Sequence, residues 1–448
     1  MGQEKMKKII ISLALFLLLP IATHAVPAVS GVSGTVNDGG SVIVNGAGFG
    51  ANGPTITFFD NFEGGTVGQN IRTGADSATI GQWQSLNTVP PKYSSDTAVS
   101  GTKAFKVTSV AGIEGQTNGV IALPNSTETF ISWWCYVPTS SPWSGEGTQI
   151  NWKIMWLMQN NSVDNDMSYA MLLDQNTRVE GGNNTPIVYP DTEPWSSTSM
   201  IKGRWQRYWW WIKDGYANDG QIKIWEMTPT GPSLVKTVAN KTTLFPSAVR
   251  KMLSVNGYTR LMTTTQATQM FDDVYVSTGP NSRARVEIGT GCTGGSYASC
   301  TNLAISTANS WSDGSINITM RGGNLSSGSA YLFVTDANGV TSVGYPITIG
   351  GTVTPCIESW RLTNTSIWST CANNSQSRTL TYVDDSNCGT TNNKPTTIET
   401  QSCSTTYNLS NFTQLVTDWL KNISSPADIN SDGKVNSQDL GIMMSNWN

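Results

Sequence analysis

Histidine is almost missing from this chain: there is one in 448 residues, at position 24. It falls inside an opening segment with the marks of an export signal. Lys5, Lys7 and Lys8 make a basic start, Ile9 to Leu19 an apolar stretch too short to span a bilayer comfortably, and Thr23-His24-Ala25 a small-residue cleavage site. With residues 1–25 removed, no histidine remains. That excludes a Ser-His-Asp triad, a Cys-His pair, a histidine-bound zinc and a histidine general base. Any catalysis has to use carboxylates, Tyr, Lys, Arg or a metal held by oxygen.

Other scarcities narrow the class. Charged residues make up only 13% of the chain and its net charge is −4, so there is no basic footprint for nucleic acid. After the leader no run is long and apolar enough to cross a membrane. The expectation is a secreted protein, extracellular or at the cell surface. Cysteine is sparse, at seven. Cys292 and Cys300 lie in a Gly-rich loop, and Cys356, Cys371, Cys388 and Cys403 cluster in one short segment. Export permits disulfides in both groups. Cys135 sits in an apolar strand, with no histidine to activate it, and is expected as a buried thiol.

What is present is β structure in several modules, since the length exceeds a single core. Residues 58–279 hold twelve of the seventeen tryptophans. Strand-like runs recur there, at Thr129–Val137, Ile150–Gln159, Met167–Asp174, Arg204–Lys213, Gln221–Met227 and Met270–Ser277. They are aromatic and β-branched, and Gly, Asn, Pro and Asp clusters separate them. No segment keeps a helical period, so a mostly β sandwich is expected. Phe59-Asp60-Asn61-Phe62-Glu63, Asn151-Trp152-Lys153-Ile154, Gly203-Arg204-Trp205-Gln206-Arg207 and Phe271-Asp272-Asp273-Val274-Tyr275-Val276 resemble the concanavalin A-like jelly rolls of lectins, glucanases and polysaccharide lyases.

On either side lie smaller modules. Residues 26–57 contain Ser41-Val42-Ile43-Val44-Asn45-Gly46-Ala47-Gly48-Phe49-Gly50, which resembles the opening of an IPT/TIG immunoglobulin-like module but covers only about half of one. Either that module is truncated or the next domain is inserted into it. Residues 280–350 read as a second immunoglobulin-like sandwich, with strands at Ser315–Met320 and Ala330–Val334. Within residues 351–404, Trp360, Trp368 and Arg378 among the four cysteines resemble a thrombospondin type 1 repeat, a family in which Trp and Arg interleave. That resemblance favours Cys356–Cys388 and Cys371–Cys403, while the sequence alone allows three connectivities.

Residues 405–448 carry the sharpest motif. Asp428, Asn430, Asp432, Asn436 and Asp439 occupy loop positions 1, 3, 5, 9 and 12, with Gly433 at the turn and Lys434 offering its carbonyl at position 7. This is the oxygen spacing of an EF-hand-type calcium loop. Asp at position 12 followed by Leu440 resembles dockerins, which implies a cohesin-like protein partner. Asn411 to Trp419 repeats Asp439 to Trp447, but no carboxylate lies in Thr400–Ser410, so one calcium site is expected. Leu415, Trp419, Met443, Met444 and Trp447 are expected as the core between two short helices.

For the jelly roll two chemistries are open. A glycosidase needs two carboxylates across a cleft. No alternating acidic triplet occurs, and Asp272-Asp273, being adjacent, point to opposite faces and suit turn amides better than catalysis. Glu226, Asp164, Asp166 and Glu180 are isolated. A lyase needs a group to neutralise a uronate carboxylate, together with a base. Arg207, Trp209, Trp211 and Lys213 share one strand face, Lys223 and Trp225 a neighbouring one, and Asn151, Lys153 and Gln159 another. If these faces coincide they form an aromatic, basic groove for a glycan. The expectation is a non-catalytic carbohydrate-binding protein acting on extracellular polysaccharide. The alternatives are a lyase or glycoside hydrolase, and a structural adhesion protein.

Overall fold

The computed structural model describes residues 25–86, 89–109, 118–142, 151–160, 169–173, 177–180, 193–194, 200–244, 248–260, 266–353, 358–371, 375–385, 394–403 and 407–447. The export signal and the Cys356–Cys388 pairing lie outside them. The chain is mostly β and divides into two units, Met1–Pro355 and Cys356–Asn448.

Two sheets of the first unit face each other as a jelly-roll sandwich. One runs Gly231–Lys241, Gly220–Thr228, Gln206–Lys213, Glu128–Tyr136, Thr268–Thr278, Ala104–Thr108 and Lys92–Ser94, with Thr55–Asp60 also on Thr268–Thr278. The other runs Glu193–Pro194, Thr177–Glu180, Tyr169–Leu173, Asn151–Asn160, Val249–Arg260, Gly119–Ala122 and Ser85–Leu86. Apolar residues of both sheets meet between them: Trp133, Tyr208, Trp210, Ile212 and Phe271 from the first sheet, Ile154, Leu157, Leu253 and Val255 from the second.

The remaining strands of this unit make one further sheet, and here the expected domain boundaries change. Ala28–Thr35 and Ser41–Ala47 do not form a truncated module. Ser41–Ala47 pairs with Ser315–Thr319, placing Val42 opposite Ile318 and Val44 opposite Ile316, and Thr352–Val353 closes against Ala28–Thr35. Val32, Val44, Val286, Ile318 and Leu332 share one core. Residues 26–57 and 280–350 therefore build a single sandwich with the jelly roll inserted in it. The insertion closes on itself, because Thr55 is in register with Thr278 and the hydroxyls of Thr57 and Thr278 lie 2.9 Å apart.

The second unit holds a three-stranded sheet of Trp360–Thr365, Ser375–Asp384 and Ile398–Ser402, and two helices, Leu409–Asp418 and Ser437–Ser445. Cys371 bonds to Cys403, and the Arg378 guanidinium stacks 4.5 Å from the Trp368 ring. Each helix begins with an asparagine capping box, at Asn408 and Asn436. Their core is Leu415, Ala427, Val435 and Met443. Trp419, Met444 and Trp447, expected inside, are exposed, with the Trp447 ring set edge-on to Phe412.

Candidate functional site

The seven residues expected to line one groove lie in two places. Arg207, Trp209 and Trp211 do share a strand face, and the register sets Trp209 opposite Trp225 and Trp211 opposite Lys223. That face is covered by the immunoglobulin-like sandwich. Trp209, Trp211, Phe130 and Tyr275 pack with Leu303, Ile305, Phe333 and the Cys292–Cys300 disulfide region. An open groove at Arg207, Trp209 and Trp211 is thereby corrected, since a strand buried on both faces offers nothing to a glycan. Lys223 and Trp225 stay half-buried at the margin of the contact.

Arg207 fastens the two sandwiches. Its guanidinium donates to Glu287 Oε1 at 3.0 Å, to the Leu303 carbonyl at 2.6 Å and to Ser132 Oγ at 3.1 Å. Glu287 Oε2 accepts from Arg285 Nε and from the Tyr297 hydroxyl. Burial works against the charge on Glu287. The Arg285 and Arg207 guanidiniums outweigh it and hold the carboxyl below its ordinary value.

The acidic pairs are likewise structural. Asp272 Oδ2 accepts from the N–H groups of Val99 and Ser100, and Asp273 Oδ1 accepts from Ser100 Oγ. Asp60 accepts from Phe62 N–H and Trp83 Nε1. Burial pushes Asp60 and Asp273 up to about 6. Glu226 is buried beneath the first sheet, Glu180 sits on a short strand of the second, and Asp164 and Asp166 lie outside the described residues.

The second sheet brings a different set together. In the central pair of strands, Lys153 is in register with Tyr258 and Asn151 with Arg260, and Leu172 lies across from Lys153 on the other side. A bulge interrupts both pairings at this point, and Asn256 occupies it with a φ of +55°. Ile154 and Met155 are consecutive yet both lie in the inter-sheet core. Directly opposed positions share a face, so the register groups positions 151, 153, 258 and 260 together on this sheet. Asn151 and Lys153 were expected as site residues, whereas Tyr258 and Arg260 escaped notice. The Asn256-Gly257 pair before them reads as a turn, and the structure uses it as a bulge inside a long strand.

The calcium-type loop is folded around its own amides. Asp428 accepts from the N–H groups of Asp432 and Gly433, Asn430 Oδ1 from Asp432, and Asp432 Oδ1 from Lys434. Asp439 accepts from Ile429, Asn430 and Asn436. Gly433 turns the chain with a φ of +82°. The donor set is all oxygen, as a hard cation requires. Among the described residues no three acidic, His or Cys side chains yet converge on one point.

No protein-family model and no curated protein sequence matches the chain. Solved structures do. An endo-β-1,4-glucuronan lyase from the fungus Trichoderma reesei is 17% identical, with 48% of this chain and 96% of that one covered and a TM-score of 0.36. An alginate lyase shows 14% identity, 50% and 97% coverage and a TM-score of 0.38. An alginate lyase from Chlorella virus shows 9% identity, 44% and 93% coverage and a TM-score of 0.33. The names of these neighbours are those of lyases, which is the alternative given above and not the expected non-catalytic binding protein.

Proposed function

We propose that the chain is a secreted polysaccharide lyase whose site lies on the second jelly-roll sheet, where Asn151–Asn160 pairs with Val249–Arg260. The observation that carries this reading is the register of Lys153 with Tyr258 beside that of Asn151 with Arg260. Elimination at a uronate needs the carboxylate neutralised, a base for the C5 proton and an acid for the leaving oxygen. Arg260 and Asn151 supply a cation and an amide for the carboxylate. Tyr258 takes the C5 proton, with Lys153 opposite it to favour the phenolate. The C5–H electrons become the C4=C5 double bond as the C4–O bond breaks, and the glycosidic oxygen leaves with the proton that Tyr258 has taken from C5, which returns Tyr258 to its phenolate. Histidine has no part in this scheme, in keeping with its absence from the rest of the chain. The export leader and the Cys292–Cys300 and Cys371–Cys403 bridges support action outside the cytoplasm.

Incubating the purified chain with alginate, glucuronan and a neutral glucan tests this reading. Ultraviolet absorbance of an unsaturated uronate is expected with one of the acidic polymers. New reducing ends without that absorbance would identify a hydrolase instead.

For the second unit we propose that Asp428, Asn430, Asp432, Asn436, Asp439 and the Lys434 carbonyl hold calcium in a dockerin-like module that tethers the enzyme to a cohesin-like partner. The support is the all-oxygen donor set and the turn at Gly433. Calorimetric titration with calcium tests it, one site being expected.

A further inference from the structure

The two sandwiches of the first unit leave a cleft of about 290 Å³ beside their contact. Its walls come from both: Phe130, Trp209, Trp225 and Leu234 from the jelly roll, Arg283 and Tyr297 from the immunoglobulin-like sandwich. The volume sits at the lower end of small-ligand pockets, roughly 300 Å³ upward, enough for one sugar unit.

The two guanidiniums of this cleft are held differently. Arg285 is engaged on every side, with Nε on Glu287, Nη2 on the Tyr297 hydroxyl and Nη1 on the Arg283 carbonyl. Arg283 differs. Its guanidinium lies 4.8 Å from the Trp211 ring, and a Cβ on Gly339, which has a φ of +78°, would collide with it. Among the described residues no hydrogen bond or ion pair engages it. The nearest acids serve other donors: Glu128 accepts from Trp211 Nε1, and Asp336 from the Val340 N–H. Lys223 adds a second cation, 5.8 Å from the same Trp211 ring. Burial first, then Arg285, pulls Arg283 down to about 10, and burial and Arg283 lower Lys223 in turn.

We propose that this cleft is an accessory subsite for one uronate unit of the polysaccharide, with Arg283 receiving the carboxylate and the half-buried Trp225 the sugar ring. The identity of the polymer rests on the lyase reading above. A positioned, unpaired guanidinium suits a planar carboxylate, which it can hold through two parallel hydrogen bonds. The indole face and Leu234 suit the C–H face of a pyranose. A small inorganic anion would use the first feature and leave the second idle.

The test uses the full chain carrying Lys153→Ala to halt turnover, titrated by calorimetry with an oligouronate and with its carboxyl-reduced counterpart. Two oligouronate sites are expected. Arg283→Gln or Trp225→Ala should remove one of them, and the carboxyl-reduced sugar should not fill it. In the otherwise wild-type chain Arg283→Gln should raise KM for long polymer about tenfold, the scale of one lost charge-assisted contact, and leave kcat on a short oligomer unchanged. Unaltered stoichiometry and unaltered polymer KM in both variants would overturn the subsite even if unsaturated product forms. A site dependent on Arg283 in a chain that forms no unsaturated product would uphold the subsite and dismiss the lyase.

Discussion

Arg207 and Glu287, each 1% exposed, join the jelly roll to the sandwich that encloses it, across 3.0 Å. Neither charge has water to fall back on; without Arg207, Glu287 keeps Arg285 and Tyr297, while Glu287 Oε1, the Leu303 carbonyl and Ser132 lose their donor. Arg207→Ala is expected to cost the first unit about 1.5–3 kcal/mol in urea denaturation, the scale of lost hydrogen bonds to a charged group. Arg207→Lys should recover little of it, since an ammonium cannot serve Glu287, Ser132 and the Leu303 carbonyl from one plane.

Tyr258→Phe and Lys153→Ala should each lower the rate of unsaturated-product formation by about two to four orders of magnitude, the usual worth of a placed acid or base. The thermal midpoint is expected to hold. A matching loss of midpoint and rate would move these residues into the scaffold.

Asp60 gives a pH test. Its carboxyl is raised from 3.8 to about 6, mainly by burial, so the folded chain keeps this proton longer than the unfolded chain does. The stability it contributes is complete below 3.8 and is lost as pH rises through about 6. Glu287 and Asp96 are lowered and act with the opposite sign, so the informative quantity is a difference. The melting midpoint of wild type minus that of Asp60→Asn should fall between those two pH values.

Asp428→Ala should abolish calcium uptake in calorimetry and loosen the segment from about Asn408 onward in hydrogen exchange. Asp428 otherwise receives the Asp432 and Gly433 amides, so the loss should be partly visible without the ion.

Much of this architecture could be read from local pattern. Alternation put Trp209 and Trp211 on one strand face and Lys223 and Trp225 on another, which the register then joins, and the Cys371–Cys403 pairing followed from a family likeness. What local pattern does not contain is which face another module will cover. Trp209 looks the same whether Leu303 or a sugar lies above it, and Leu303 arrives nearly a hundred residues later in the chain. A still greater separation along the chain concealed the second half of the Val42–Val44 strand's sheet. Tyr258 escaped for a local reason: Asn-Gly is a turn signal, and only the partner strand makes it a bulge.

The insertion dictates an order of assembly. Ser41–Ala47 leaves the ribosome early, yet its partner Ser315–Thr319 follows only after the whole jelly roll. The jelly roll, whose ends meet at Thr55 and Thr278, can close as soon as Thr268–Thr278 has emerged. The surrounding sandwich is then fastened last, like a clasp around a finished bead. A chain broken off near Gly279 would carry the complete jelly roll and half a clasp. Its bare strand edge would be an invitation to pair with another chain.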